Sequence, residues 1–447
     1  MEIEITGITP GGMGYGESPE GRIYVRKTVP GDRVEIDEER GSRLADPIRV
    51  VGSERPRREA PCSHFGQCGG CDWMHLPYEE QLKLKQEMVT AAFKGQALHV
   101  SIQDIAGSPE EFRYRNRMDF AFGNAEDGPV IGLYEKSDSE DQSHQTPPVC
   151  EVRDCWLASE DVNKIRGAVQ VALKGSRLRA YNPVTRTGVL RSLEIRTGVD
   201  GSAVSLSVAN DKHVPEDKIV SGLEACGAPV AGISIRVGRS RSKHAPPKKI
   251  STLLGQDRQS VSVLGNTISF SGGVFSQVNA FHMERLYQIA MEMAETRTED
   301  RVLDLYCGVG TLSVAIAERA EHVTGVELEI GAIEDARQNA IANGRSNCDF
   351  VCADAANVKR WGKQIQQFNL VTVNPPRAGL ATEVVEAVAA TRADRVFYVS
   401  CNSETLARDC KRLCAHNYVI SEVRPVDMFP QTTHVEAVVK LERRGRG

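Results

Sequence analysis

The chain predicts an α/β fold. A C-terminal Rossmann-like domain with a doubly wound, largely parallel sheet follows a small N-terminal β-barrel and a central mixed α+β region. Two patterns carry this expectation. From about residue 271 onward, apolar β-branched runs alternate with amphipathic helical stretches. The first 52 residues instead hold short alternating runs separated by Gly, Pro and Asp.

In the N-terminal part the expected strands are Glu2 to Ile5, Arg22 to Val25, Arg33 to Ile36 and Ile48 to Val51, with turns at Gly11-Gly12-Met13-Gly14 and Pro30-Gly31-Asp32. Evenly spaced short strands in so few residues suggest a barrel over 1–52. Arg55-Pro56-Arg57-Arg58 reads as a linker. Residues 53–270 form the central region, with a helix over Tyr78 to Phe93 and strands over Leu190 to Arg196 and Ala203 to Val208, but the pattern defines no fold there. In 271–447 the expected strands are Arg301 to Leu305, His322 to Glu327, Phe350 to Asp354, Leu370 to Asn374, Arg395 to Ser400 and Tyr418 to Arg424. The first helix runs to about Ala320 and the second from Ile330 to Asn343.

At 447 residues the chain has room for two to four domains of about 100–200 residues. Its 40% hydrophobic and 26% charged residues are the balance of a soluble globular protein. No apolar run approaches the ~20 residues that span a bilayer, and Met1-Glu2-Ile3-Glu4-Ile5 does not read as a signal peptide. A cytoplasmic protein with no membrane partner is expected. The net charge of −5 argues mildly against a nucleic-acid partner. Local clusters argue the other way: Arg55, Arg57 and Arg58; Arg113, Arg115 and Arg117; and the run from Arg236 to Lys249 that includes Arg239, Arg241, Lys243 and Lys248. The segment from Glu126 to Asp141 is an acidic loop.

Asp304 to Thr311 reads D-L-Y-C-G-V-G-T where the first strand turns into the first helix. Ligands of such sheets bind beyond the strands' carboxyl ends, and Gly308 and Gly310 allow close backbone approach. Glu327 ends the second strand and could accept both ribose hydroxyls. Asp354 ends the third and could bond an adenine amine. This spacing suits a class I methyltransferase using S-adenosylmethionine better than a nucleotide dehydrogenase, because that cofactor has no pyrophosphate to cradle.

Asn374-Pro375-Pro376-Arg377 follows the fourth strand. A similar motif serves amino-directed methyltransferases, where an aromatic residue usually follows the prolines; Arg377 here argues against an amino acceptor. The fifth strand ends at Cys401-Asn402, which puts a thiol at the ligand crevice. Carbon 5 of uracil is a poor nucleophile until a thiolate adds to carbon 6, and covalent catalysis divides that hard step. Glu436, in Thr432-Thr433-His434-Val435-Glu436, is the candidate base for the carbon 5 proton.

There are twelve cysteines, which in a reducing compartment do not form a disulfide framework. Cys62, Cys68 and Cys71 sit on one tight glycine-containing loop, and Cys150 or Cys155 could supply a fourth ligand. Zinc is an alternative, but three clustered ligands and one distant one suit a 4Fe-4S cluster better. Its role would be structural or RNA-contacting.

Taken together, D-L-Y-C-G-V-G-T, N-P-P-R-A-G-L, S-C-N and F-P-Q-T-T-H-V-E resemble the RNA uracil-5-methyltransferase family, in the form with an N-terminal TRAM barrel and an iron–sulfur cluster, as in the 23S ribosomal RNA enzymes. The resemblance covers nearly the whole chain. It implies that Cys401 is the nucleophile and Glu436 the proton acceptor. It also implies a cofactor pocket lined by Gln277 (in Phe275-Ser276-Gln277-Val278-Asn279), Tyr306, Thr311, Glu327 and Asp354, and Cys155 as the fourth cluster ligand. Asn374 stands where many members have Asp, and is counted with the cofactor and substrate pocket. The implied partner is ribosomal RNA, with transfer RNA the alternative, and a monomer is expected. A flipped uridine would be held by RNA contacts such as Arg113-Tyr114-Arg115-Asn116-Arg117, which interleave cation and aromatic. Two rival readings are a noncatalytic metal-containing RNA-binding protein, which has no use for Cys401 with Glu436, and an amino-directed methyltransferase, which needs no Cys401.

Overall fold

The computed structural model describes residues 1–9, 12–37, 44–136, 147–238, 248–274 and 277–445. Arg239, Arg241, Lys243, Phe275, Ser276, Gly11 and the end of the expected acidic loop lie outside these residues. The N-terminal part forms two small sheets. One orders Glu2–Glu4, Asp32–Ile36 and Pro47–Ser53; the other orders Gly7–Ile8, Gly14–Ser18, Gly21–Val25 and Leu44–Ala45. Their alternating apolar residues Ile3, Ile5, Val25, Val34 and Ile36 face inward as one cluster.

The central region is a seven-stranded sheet ordered Val149–Glu151, Gly128–Tyr134, Arg117–Ala125, Leu190–Gly198, Gly201–Val208, Val230–Val237 and Lys249–Gly255. Gly201–Val208 and Val230–Val237 pair in parallel, joined through the helix Glu216–Glu224. One face is covered by that helix and by Glu160–Leu173, burying Phe120, Leu193, Ile195, Val204 and Ile233 with Val162, Ile165 and Leu223.

The C-terminal sheet orders Cys348–Cys352, His322–Glu327, Arg301–Leu305, Leu370–Val373, Arg395–Ser400, Glu436–Arg443 and Tyr418–Val426. Six strands run in one direction, and only Glu436–Arg443, between Arg395–Ser400 and Tyr418–Val426, is antiparallel to its two neighbours. The first strand is flanked by the second and the fourth, so strand order reverses there and opens a crevice at its carboxyl end. Strands buried on both faces read as continuous apolar runs, and Leu303, Leu305, Val371, Val373 and Val396 are accordingly fully buried.

Several boundaries differ from the sequence reading. The first helix spans only Thr311–Ile316, because Asn347 Nδ2 donates to the carbonyls of Ala317 and Ala320 (2.9 Å each) and the following turns tighten. The third strand ends at Cys352, so Asp354 lies beyond it and caps the 3-10 segment Ala355–Gln367, its carboxylate accepting from Ala356 N–H at 2.9 Å. The strand Glu436–Arg443, not expected from the sequence, completes the sheet between its neighbours.

Two N-terminal elements pack into this C-terminal core. The helix Tyr78–Gly95 buries Val89 and Phe93 in the cluster of Leu305, Leu406 and Val423, a contribution of roughly 1.5–3 kcal/mol per side chain. The hairpin Arg258–Val263 with Asn266–Ser271 packs Ile268 and Phe270 on Ile333 and Ala336. Asp335, Asn339 and Asn343 bond its backbone at Ser271, Ser269 and Thr267. No helix among the described residues is long and apolar enough to cross a membrane.

Candidate functional site

The crevice is floored by the turn after the first strand. Tyr306, Gly308 and Gly310 all have positive φ (63°, 55° and 79°), which wraps the chain tightly into Thr311–Ile316. A Cβ at Gly310 would stand 3.1 Å from Ala336 Cβ and from the Phe350 ring, so this position must stay bare. Asp304 anchors the turn from beneath, accepting from Ser313 and Thr372 hydroxyls; burial pushes its carboxyl up to about 6. Glu327 takes N–H bonds from Gly308 (3.3 Å), Leu328 (2.7 Å) and Glu329 (3.1 Å), which fixes its carboxylate at the turn. Tyr306 is half-buried, its hydroxyl pushed up to about 12 by burial and by the nearby Asp354. Thus Tyr306, Glu327 and Asp354 share one mouth.

On the other side, Gln277 and Thr311 lie beside Tyr287, a buried residue of the helix Ala280–Ala294. Burial and the neighbouring Glu436 raise the Tyr287 hydroxyl. Asn374 N–H donates to Leu305 carbonyl at 3.3 Å, holding the N-P-P loop against the first strand.

Cys401 follows the fifth strand and is half-buried. Burial raises its thiol, Glu436 raises it further, and the nearby Arg377 guanidinium pulls it back. Glu436 is the first residue of its strand and is buried; one carboxylate oxygen has no hydrogen-bond partner. Burial pushes it up to about 7, against the attraction of Arg377. His434 Nε2 accepts from Arg377 Nη2 at 2.9 Å, and burial lowers this imidazole to about 4, so it is neutral and suited to accept. Arg377 is held in turn by Asn402 Nδ2 and Thr405 Oγ1, each donating to its carbonyl at 3.2 Å. Asn402 also caps the helix Ser403–Ala415. The expected residues Cys401 and Glu436 therefore meet. Tyr287, Arg377, His434 and Asn402 join them; the last three lie within the quoted motifs N-P-P-R-A-G-L, F-P-Q-T-T-H-V-E and S-C-N, whereas Tyr287 carries no local signal.

Cys62, Cys68, Cys71 and Cys155 line a cavity of about 300 Å³, and Cys150 does not. Cys150 instead lies 4.0 Å from His64 Nδ1. Arg115 lines the same cavity, half-buried, with its Nε unpartnered. Burial pushes the Cys68 thiol up to about 12 and raises Cys62 and Cys71. Among the described residues, no three of His, Cys, Asp or Glu converge closely enough to hold a metal ion.

Among the described residues, most cations of the basic clusters pair within the chain. Arg55 pairs with Glu80 and Glu87, Arg57 with Asp32, and Arg58 with Glu111. Arg113 pairs with Asp154 (2.7 Å) and lies over Trp156, while Arg117 pairs with Glu194. Tyr114 is 1% exposed and donates to Pro430 carbonyl, so it offers no face to a base. The expectation of 113–117 as a stacking surface fails because alternate residues point into the core. Arg236 pairs with Asp257, and Lys249 with Asp211.

A glycine turn at the reversal of a parallel sheet, with acidic groups at the neighbouring strand ends, is the arrangement of an S-adenosylmethionine-dependent methyltransferase. The family model described as tRNA (Uracil-5-)-methyltransferase matches residues 233–444. An uncharacterized RNA methyltransferase of Halalkalibacterium halodurans is 31% identical over 99% of this chain and 96% of its own length. One from Clostridium tetani is 32% identical over 99% of this chain and 97% of its own. The crystal structure of the tRNA (uracil-54, C5)-methyltransferase of Pyrococcus abyssi with S-adenosyl-L-homocysteine superposes with a TM-score of 0.76 at 26% identity, covering 99% of this chain and 100% of that one. The chain belongs to the RNA uracil-5-methyltransferase family.

Proposed function

We propose that the protein methylates carbon 5 of a uridine in 23S ribosomal RNA, as a cytoplasmic monomer. The observation that carries this reading is the meeting of Cys401, Arg377 and Glu436 at the crevice beside the Gly308–Gly310 turn. S-adenosylmethionine supplies the electrophilic methyl group when bound. Glu327 and Asp354 hold its ribose and adenine, and Gln277, Tyr306, Thr311 and Asn374 line its pocket. Arg377 stabilises the Cys401 thiolate, which bonds to uracil carbon 6. The electron pair of the 5,6 double bond becomes an enolate, and carbon 5 takes the methyl group as the sulfonium leaves as a thioether. Glu436 then removes the carbon 5 proton, the double bond re-forms and the Cys401 thiolate departs. Burial that lifts Glu436 to about 7 matches it to a proton transfer near neutrality.

Cys62, Cys68, Cys71 and Cys155 would hold a 4Fe-4S cluster. Three clustered cysteines and one distant one suit such a cluster better than zinc, and all four line one cavity. The half-buried Arg115, whose Nε has no hydrogen-bond partner, would offset thiolate charge there. The cluster supplies no group that methyl transfer requires.

A second reading, transfer RNA as substrate, is favoured by the likeness to the Pyrococcus abyssi enzyme. Trapping with RNA containing 5-fluorouridine tests the mechanism. Fluorine at carbon 5 cannot leave as a proton, so a covalent Cys401–RNA adduct accumulates in the wild type and is absent in Cys401→Ala. A wild type that forms no adduct overturns the thiol mechanism.

A further inference from the structure

The loop that delivers His434 and Glu436 is built around Gln431. This residue is fully buried, and its backbone is left-handed at φ 70° although it is not glycine. Such a conformation persists only where surroundings over-determine it, and here they come from the cysteine-rich N-terminal segment. Asp72 N–H and Trp73 N–H both donate to Gln431 carbonyl (2.9 and 3.1 Å). Gln81 and Gln431 exchange bonds: Gln431 N–H donates to Gln81 Oε1 at 2.8 Å, and Gln81 Nε2 donates to Gln431 Oε1 at 2.9 Å. Arg58 donates to the same Oε1 at 3.2 Å, and Gln431 Nε2 donates to Glu111 at 3.2 Å. Two residues on, Thr433 N–H donates to the Asp72 carboxylate at 3.3 Å. At the loop's start, Asp427 is fully buried and bonded to Lys85 (2.6 Å) and Tyr78 (2.9 Å) of the helix Tyr78–Gly95.

Most polar anchors that other segments give residues 427–433 therefore come from residues 58–111, with Tyr114 at the Pro430 carbonyl and Asn279 at the Met428 carbonyl the others among the described residues. Asp72 directly follows Cys71, so the cysteine loop and the loop carrying the candidate base are joined by main-chain bonds. We propose that Gln431 is a positioning residue, through which the cysteine-rich segment holds Glu436 at the reacting carbon. The segment thus serves the chemical step itself. This inference rests on the reading of Glu436 as the base.

The geometry makes a specific demand. Glu436 is lifted by being shut away from water, and that enclosure depends on the loop before it. Loosening Gln431 would displace and hydrate Glu436 without touching the cofactor turn at 304–311. Misplacing a reacting group by about 1 Å costs on the order of 10²-fold in rate.

The test uses full-length protein, with Glu436→Gln as reference and the near-isosteric Gln81→Met, Gln431→Met and their double variant. Unmodified target RNA is the substrate. If Glu436 is the base, Glu436→Gln stalls after methyl transfer and accumulates a methylated protein–RNA adduct on denaturing gels. A Glu436→Gln protein without adduct overturns the base reading whatever Gln431 does. Given that adduct, both methionine variants should lose about 10- to 100-fold in kcat, with the KM for RNA and the affinity for S-adenosylmethionine within about twofold. They should accumulate the same adduct, and their pH–rate midpoint should fall below that of the wild type, because a hydrated Glu436 loses the burial that raises it. The double variant should be no worse than the poorer single one, since the pair acts as a unit. An unchanged kcat and midpoint, or a loss confined to KM, overturns the proposal. Should Gln431→Met fail to fold, Gln81→Met decides by the same readouts, because among the described residues its side chain bonds the loop at Gln431, its remaining bonds being to the Trp73 and Leu76 carbonyls of its own segment.

Discussion

Replacing Glu436 by glutamine should stabilise the protein at the pH where it most damages turnover. Burial raises this carboxyl from 4.5 to about 7. At 1.36 kcal/mol per unit, keeping it ionised inside the fold costs about 3 kcal/mol. The direction follows from its being a raised acid. Below 4.5 it is protonated in both folded and unfolded chains and imposes no cost. As pH rises toward 7 the unfolded chain loses the proton first, so folding must recapture it and stability falls. Above 7 the full cost is present. Glutamine removes this pH dependence, although its amide must also sit beside an oxygen position that has no partner. Urea denaturation followed by tryptophan fluorescence should therefore place wild type and Glu436→Gln close together at pH 4.5. The variant should be more stable by up to about 3 kcal/mol at pH 8. A difference between the two proteins that is the same at pH 4.5 and pH 8 would refute the claim that Glu436 is held in a water-free site.

Three further outcomes follow. Arg377→Gln should leave the Cys401 thiol without its opposing cation, so alkylation of Cys401 by iodoacetamide at pH 7.5 should slow by about tenfold or more; an unchanged rate would remove Arg377 from thiolate stabilisation. Gly310→Ala forces a Cβ to 3.1 Å from Ala336 and Phe350 at φ 79°, a strain of about 1–3 kcal/mol, and calorimetry should show weakened S-adenosylmethionine binding. Cys155→Ser should lose bound iron and the visible absorption of the purified protein while Cys150→Ser keeps both, because only Cys155 lines the cavity; the reverse pattern would exchange their roles.

The C-terminal sheet was legible because buried parallel strands leave continuous apolar runs, as in Val302-Leu303 and Val396-Phe397-Tyr398-Val399. The glycine turn and Cys401 could be placed for the same reason: each directly follows such a run. Glu436 was recognisable as a carboxylate beside a motif, but its strand was not expected. Ala437 to Leu441 reads as an apolar run with no helix behind it, and only pairing with the fifth strand explains it. The helix Tyr78–Gly95 was visible as a helix, but not its place in the C-terminal core, since periodicity gives a buried face without naming what buries it. The Arg113–Arg117 stretch misled for a related reason. Alternating cations and an aromatic look like an RNA surface, yet Arg115 and Tyr114 are drawn inward by the cysteine cavity and the Pro430 carbonyl. Tyr287 could not be found at all, because its contact with Gln277 and Thr311 exists only in three dimensions.

The central claim is thiol-dependent methylation of uridine carbon 5 in ribosomal RNA. The most direct measurement incubates the purified protein with unmodified ribosomal RNA, transfer RNA and methyl-labelled S-adenosylmethionine, with Cys401→Ala in parallel, and reads the digested nucleosides by mass spectrometry. The account predicts labelled 5-methyluridine from ribosomal RNA with the wild type and none with Cys401→Ala. Label in transfer RNA alone would keep the chemistry and replace the substrate. Label on an amino group, or label that survives Cys401→Ala, would contradict the mechanism.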